Sequence, residues 1–131
     1  MRKILLDTNA FTRLFGGDRS VFSELVAADT VYVSTIVLGE LHAGLRGGRN
    51  VATNRRTLRS FLAKDTVRLL LVDAETSEIF GEVKQRLKAA GTPIPINDVW
   101  IAAHAMQTGS FLVTYDKHFQ KVSGLLMWPE L

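Results

Sequence analysis

The chain has 131 residues, which at about 150 residues per domain sets an expectation of one domain spanning residues 1–131. With 47% hydrophobic and 22% charged residues it is neither disordered nor fibrous. It has no cysteine, which excludes a disulfide framework, a thiolate zinc site and a cysteine nucleophile, and its net charge of +3 is no sign by itself of nucleic-acid binding.

In chain order, the opening Met1-Arg-Lys precedes an apolar stretch of only Ile4 to Leu6, shorter than the roughly 7–15 residues of a signal-peptide core. No run approaches the ~18 apolar residues of a membrane span. The expectation is a soluble, cytoplasmic domain with no membrane partner. Lys3 to Leu6 has strand length and ends at Asp7-Thr8-Asn9. Val21 to Ala28 reads as a short helix after Gly16-Gly17-Asp18, and the β-branched and aromatic Thr30 to Val33 as a strand. Ser34 offers an N-cap to a helix from Thr35 to about Leu45, stopped by Gly47-Gly48. Asn50 to Leu62 is a basic helix and Val67 to Val72 a strand. Asp73 caps a helix over 74–90, whose Ile79, Val83 and Leu87 form a core stripe at i, i+4, i+8. Its early acids (Glu75, Glu78, Glu82) and late bases (Lys84, Arg86, Lys88) suit the helix dipole and read as a solvated face. Thr92 to Pro95 is a rigid loop and Asn97 to Thr108 a helix stopped by Gly109. Phe111 to Thr114 is a strand, Tyr115 to Phe119 a loop, and Leu125 to Trp128 a last edge strand.

Short apolar strands alternating with helices predict an α/β domain. Strands without polar alternation predict a parallel sheet covered on both faces, here a three-layer fold with four to five strands. Ligands in such folds sit beyond the carboxyl ends of the strands.

The thirteen acids sort by that rule. Asp18 and Asp29 lie in turns, Asp65 after the basic helix, Asp73 at a cap, Glu24 on a helix exterior and Glu130 in the tail. Four are harder to dismiss. Asp7 and Asp116 directly follow strands, where each also suits a turn or an N-cap. On a helix, Glu40 has Ile36, Val37, Ala43 and Gly44 as face neighbours and no basic partner. A carboxylate there is buried at a cost of several kcal/mol, lines a cavity with a cation, or faces water with the apolar face elsewhere. Gly39 and Gly44 lower helix propensity by about 1 kcal/mol each and suggest close approach of something on that helix. Asp98 opens a helix beside Ile101, Ala102 and Ala105, where Asn97 could serve as the cap instead. If the four acids share a cleft, like charges raise each other's pKa and call for a hard divalent cation, Mg²⁺ or Mn²⁺. That chemistry points to metal-dependent phosphodiester hydrolysis.

At these residues the sequence resembles the PIN-domain ribonucleases, specifically the VapC-type toxins of toxin–antitoxin pairs. The matching pieces are Leu6-Asp7-Thr8-Asn9, Glu40-Leu-His-Ala-Gly44, Asn97-Asp98-Val-Trp-Ile-Ala-Ala103 and Leu112-Val-Thr114-Tyr-Asp116-Lys-His-Phe119, and they extend over essentially the whole chain. The resemblance implies an endoribonuclease acting on structured RNA such as tRNA or ribosomal RNA. It implies Asp7 and Asp98 as main metal ligands, Asp116 as a further one, and Glu40 as a ligand to a second ion or holder of the attacking water. Thr8, Asn9 and Thr114 would orient the carboxylates. It also implies a homodimer and an antitoxin that blocks the acidic cleft.

Residues 45–68 hold Arg46, Arg49, Arg55, Arg56, Arg59, Lys64 and Arg68 against the single acid Asp65. This excess fits a phosphate-tracking rim, a solvated face or an antitoxin surface. Arg13 and Lys117 are further RNA-contact candidates. His42 and His104 read as packed or hydrogen-bonded, and His118, two residues after Asp116, reads either as a phosphate contact or as a loop histidine without a role. Trp100 and Trp128 read as packing residues. Two other readings compete. One is a PIN-type RNA- or partner-binding module without turnover. The other is an aspartyl-phosphate phosphatase using Asp7, disfavoured because Asn9 stands where a second acid is needed.

Overall fold

The structure, a computed structural model, describes residues 1–128. Glu130, read above as a tail residue, lies outside the described residues. The elements are β1 (Lys3–Leu6), α1 (Thr8–Phe15), α2 (Arg19–Ala27), β2 (Thr30–Ser34), α3 (Thr35–Arg46), α4 (Val51–Leu62), β3 (Val67–Leu70), α5 (Ala74–Ala89), α6 (Ile96–Thr108), β4 (Phe111–Val113), a 3₁₀ turn (Lys117–Lys121) and β5 (Met127–Trp128). The five strands form one parallel sheet in the order β3-β2-β1-β4-β5. The fold is the expected three-layer α/β/α arrangement around a parallel sheet.

Ile4, Leu5 and Leu6 of the central strand are all fully buried, as a strand covered on both faces requires. Val31, Val33, Leu112 and Val113 flank them, equally buried. On α5, Val83 and Leu87 are buried and Ile79 packs against the core, while the six charges of that helix face solvent. Ser34 caps α3 by accepting from Ile36 N at 3.1 Å. Asp73 and Thr76 form a reciprocal capping box on α5. Gly109 ends α6 at φ 65°, a left-handed position that suits glycine.

Several local expectations change. Helix α1 has no counterpart in the sequence reading. It is only eight residues long, and its apolar stripe is confined to Phe11, Leu14 and Phe15. Tertiary packing holds it: Phe11 is fully buried and meets Phe61 of α4 edge-on at 5.2 Å. Helix α2 begins at Arg19 rather than Val21, because Asp18 accepts from Val21 N at 2.9 Å and acts as its cap. Strand β3 ends at Leu70; Leu71 and Val72 are exposed beyond it. Strand β5 is confined to Met127–Trp128. The segment read as a loop after β4 winds into the 3₁₀ turn, capped by Asp116. Helix α6 starts at Ile96 with Pro95 as the boundary residue, so neither Asn97 nor Asp98 is the cap. A Cβ at Gly39 or Gly44 would meet no atom within 4 Å, so no close approach within the chain explains those glycines.

Candidate active site

Strands β1 and β4 are parallel neighbours with Leu6 in register with Val113, so their carboxyl ends open side by side. Asp7 follows one and Thr114 the other. The Asp7 backbone N–H donates to Val113 O at 3.2 Å. The Asp7 side chain is 4% exposed. Its Oδ1 accepts from Ala10 N at 2.8 Å, and its Oδ2 accepts from the Thr114 hydroxyl. The same Thr114 Oγ1 accepts from Asp116 N at 2.9 Å, so one hydroxyl ties two acids together.

The helix-borne acids approach from the other elements. Glu40, half-buried on α3, accepts from the Thr8 hydroxyl at 2.6 Å through Oε1. Asp98 lies in the first turn of α6, and its side chain is 19% exposed. His118 completes the group: its Nδ1 is 3.2 Å from Asp116 Oδ1 and 3.8 Å from Asp98 Oδ2.

Electrostatics shows that the four acids feel one another. Burial, then the negative charges of Asp116, Glu40 and Asp7, push Asp98 up to about 6, with His118 opposing. Burial also raises Asp7, against the hydrogen bonds from Thr114 and Ala10; Asp116 and Glu40 add to the rise. Among the described residues no lysine or arginine pairs with any of the four; the one basic side chain against them is the His118 imidazole. Oxygen-rich, mutually repelling and without a strong base, this donor set fits a hard divalent cation. Donor atoms of Asp98, Asp116 and His118 all lie within 4.8 Å of one another. Asp7 and Glu40 fall outside that tightest group.

The other sequence candidates divide. The Thr8 and Thr114 hydroxyls each donate to a carboxylate, of Glu40 and of Asp7. Asn9 is exposed and makes no hydrogen bond to them among the described residues. A cavity of about 400 Å³ reaches the site at Thr8 and Glu40 and runs to Phe15, Leu45, Asn54 and Leu58 between α1, α3 and α4. Arg55 and Arg59 do not line it. They border a separate depression with His42, Leu58 and Leu62, and Arg56 borders a third. Arg46, Arg49 and Lys117 are exposed, and the Arg13 guanidinium lies 4.3 Å over the Tyr115 ring. His104 is buried and bonded to Ser34 Oγ at 2.9 Å and Leu71 O at 3.2 Å, as expected; burial lowers its pKa. His42, expected to be packed or bonded, is instead exposed. Trp100 stacks on Phe80 at 3.8 Å, and Trp128 meets Tyr115 edge-on. The residue that sequence reasoning undervalued is His118. Its signal was its place two residues after a strand-end acid, on a turn that the acid itself caps.

The PIN domain family model matches residues 4–125. Over 131 aligned residues the chain is 30% identical to Ribonuclease VapC1 of Haemophilus influenzae, covering 96% of each. The chain belongs to the PIN-domain family of VapC ribonucleases. With Ribonuclease VapC2 of Rickettsia felis it shares 33% identity over 108 residues, 79% of this chain and 78% of that one. Among solved structures, VapBC2 of Rickettsia felis bound to a promoter DNA fragment superposes with a TM-score of 0.86 at 27% identity, covering 95% of this chain and 96% of that one. The four acid-bearing segments of this VapC-family chain all lie within the matched span.

Proposed function

We propose that the chain is a divalent-metal-dependent endoribonuclease, the toxin of a type II toxin–antitoxin pair, hydrolysing phosphodiesters of cellular RNA such as tRNA or ribosomal RNA. One observation carries this reading: the negative charges of Glu40 and Asp116 add to burial in raising the pKa of both Asp7 and Asp98, and no lysine or arginine pairs with any of the four among the described residues. Asp98, Asp116 and Asp7 would hold Mg²⁺ or Mn²⁺. Such an ion, when bound, polarises phosphoryl oxygens and makes water a better nucleophile near neutral pH. The Thr114 hydroxyl and the Ala10 N–H lock the Asp7 carboxylate in one orientation. The Thr8 hydroxyl engages Glu40 Oε1, leaving Oε2 to accept a hydrogen bond from the attacking water and orient it.

The basic residues Arg13, Arg46, Arg49, Arg55, Arg59 and Lys117 supply salt-dependent affinity for RNA phosphates. The likeness to VapBC2 of Rickettsia felis supports a cognate antitoxin as partner, and the acidic cleft is the proposed place that it covers. A homodimer is the proposed assembly. The test is cleavage of an RNA panel by purified protein. Mg²⁺ or Mn²⁺ is expected to support cutting, EDTA to stop it, and Asp98→Asn to slow it roughly a hundredfold or more. Wild-type cleavage by folded Asp98→Asn protein overturns the reading.

A further inference from the structure

We propose that His118 is a nitrogen ligand of the bound metal and biases the site toward Mn²⁺ over Mg²⁺. The inference rests on the metal-dependent reading above and adds a ligand to it. Asp116 caps the 3₁₀ turn by accepting from the His118 backbone N–H at 2.9 Å through Oδ1. That bond fixes the backbone of His118 relative to the Asp116 carboxylate. The imidazole then folds back over the same group, with Nδ1 3.2 Å from Asp116 Oδ1 and 3.8 Å from Asp98 Oδ2. An octahedral ion with bonds of about 2.1 Å places adjacent ligands about 3.0 Å apart and opposite ones about 4.2 Å apart. The 3.2 Å spacing is close to that of adjacent ligands, while the 3.8 Å spacing falls between adjacent and opposite, so Asp98 and His118 would shift by several tenths of an ångström to share one ion.

The chemistry of the set is mixed. Two carboxylates supply hard oxygen donors, and Nδ1 supplies a lone pair when the ring is neutral with its proton on Nε2. Mg²⁺ keeps to oxygen and water, whereas first-row transition ions accept imidazole readily. An imidazole facing the ion therefore strengthens Mn²⁺ binding with little gain for Mg²⁺. The His118 side chain is 50% exposed, so water and a phosphate could reach an ion held there. Neither other histidine can substitute. Both ring nitrogens of His104 are already engaged in the core, and His42 lies with Arg55 and Arg59.

The test is electron spin-echo envelope modulation on the full chain loaded with Mn²⁺. Modulation from a directly bonded ¹⁴N nucleus is expected in the wild type and in His42→Ala, and is expected to disappear in His118→Ala. In parallel, titration should show His118→Ala weakening Mn²⁺ binding about tenfold while Mg²⁺ binding changes less than about twofold. Bound Mn²⁺ without nitrogen modulation in the wild type overturns the role of His118 and leaves a carboxylate-only site. Failure of both ions to bind overturns the metal-dependent reading itself. The wild-type spectrum decides the question even if the alanine variant folds poorly, and His118→Asn provides a second nitrogen-ligand-free comparison.

Discussion

Thr114 and Asp7 are 107 residues apart in sequence, yet the hydroxyl of the first donates to the carboxylate of the second in a buried contact. The parallel pairing of β1 with β4 creates this proximity, because Leu6 is in register with Val113 and the next residues on both strands face one another. Asp7 thus keeps two donors although it is 4% exposed, and burial still raises its pKa. Thr114→Val preserves the shape and removes the donor. It is expected to destabilise the protein by about 1–3 kcal/mol, since a buried carboxylate loses a partner, and to slow RNA cleavage. Urea unfolding and cleavage rates measure the two effects.

Asp98→Asn is expected to stabilise the metal-free protein at neutral pH while slowing cleavage roughly a hundredfold or more. The folded-state pKa of Asp98 is raised from 3.8 to about 6, so the folded state binds more protons than the unfolded state between those values. Stability contributed by this group therefore falls as pH rises from about 4 to 6 and stays lost above. Removing the charge recovers on the order of 1–3 kcal/mol, discounted for the residual water contact. Melts in EDTA at pH 4 and pH 8 check the sign: the variant should gain over wild type only at the higher pH.

The same shift sets a pH dependence for metal loading. The ion requires ionised Asp98, so Mn²⁺ affinity and cleavage are expected to fall as pH drops through about 6. Calorimetric titration between pH 5 and pH 8 in roughly half-unit steps tests this. A flat profile would separate Asp98 from the ion.

Metal addition is expected to reverse the electrostatic penalty. Saturation with Mn²⁺ at about 100 times its Kd should stabilise the fold by about 2.7 kcal/mol, and EDTA should return it. Asp98→Asn should respond weakly to either. Differential scanning calorimetry reads the shift.

Arg55 and Arg59 border a depression of about 180 Å³ apart from the cavity that holds Glu40. Their proposed role is affinity along the RNA backbone, away from the reacting phosphate. Replacing both with alanine is expected to lower the salt dependence of RNA binding by a slope of about 1.4, for two contacts to a single strand. Cleavage at saturating RNA should persist. An unchanged slope would assign these arginines to a protein surface.

The strands were legible because β1 and β4 are apolar runs without alternation, which a doubly covered parallel sheet hides, and β2 is rich in β-branched and aromatic residues. Caps at Ser34 and Asp73 and the stop at Gly109 were legible because they act through their own neighbours. Helix α1 was not, since two turns of weak propensity become stable only when Phe11 reaches Phe61 fifty residues away. The four acids stood out by elimination and joint placement, although Asp7 and Asp116 also had a local reading as caps, a role that both fill in the structure. Their spatial relationship was beyond that reasoning. Side-chain contacts between Thr114 and Asp7, Thr8 and Glu40, or His118 and Asp98 depend on strand register and helix placement, which no local pattern encodes. What the amino-acid order determined alone was the alternation of elements and the identity of the acids, because periodicity and side-chain chemistry are local. What the tertiary structure decided was their charge coupling and the entry of His118 into the group. Electrostatic energy depends on distance and burial, and both exist only once the chain has folded.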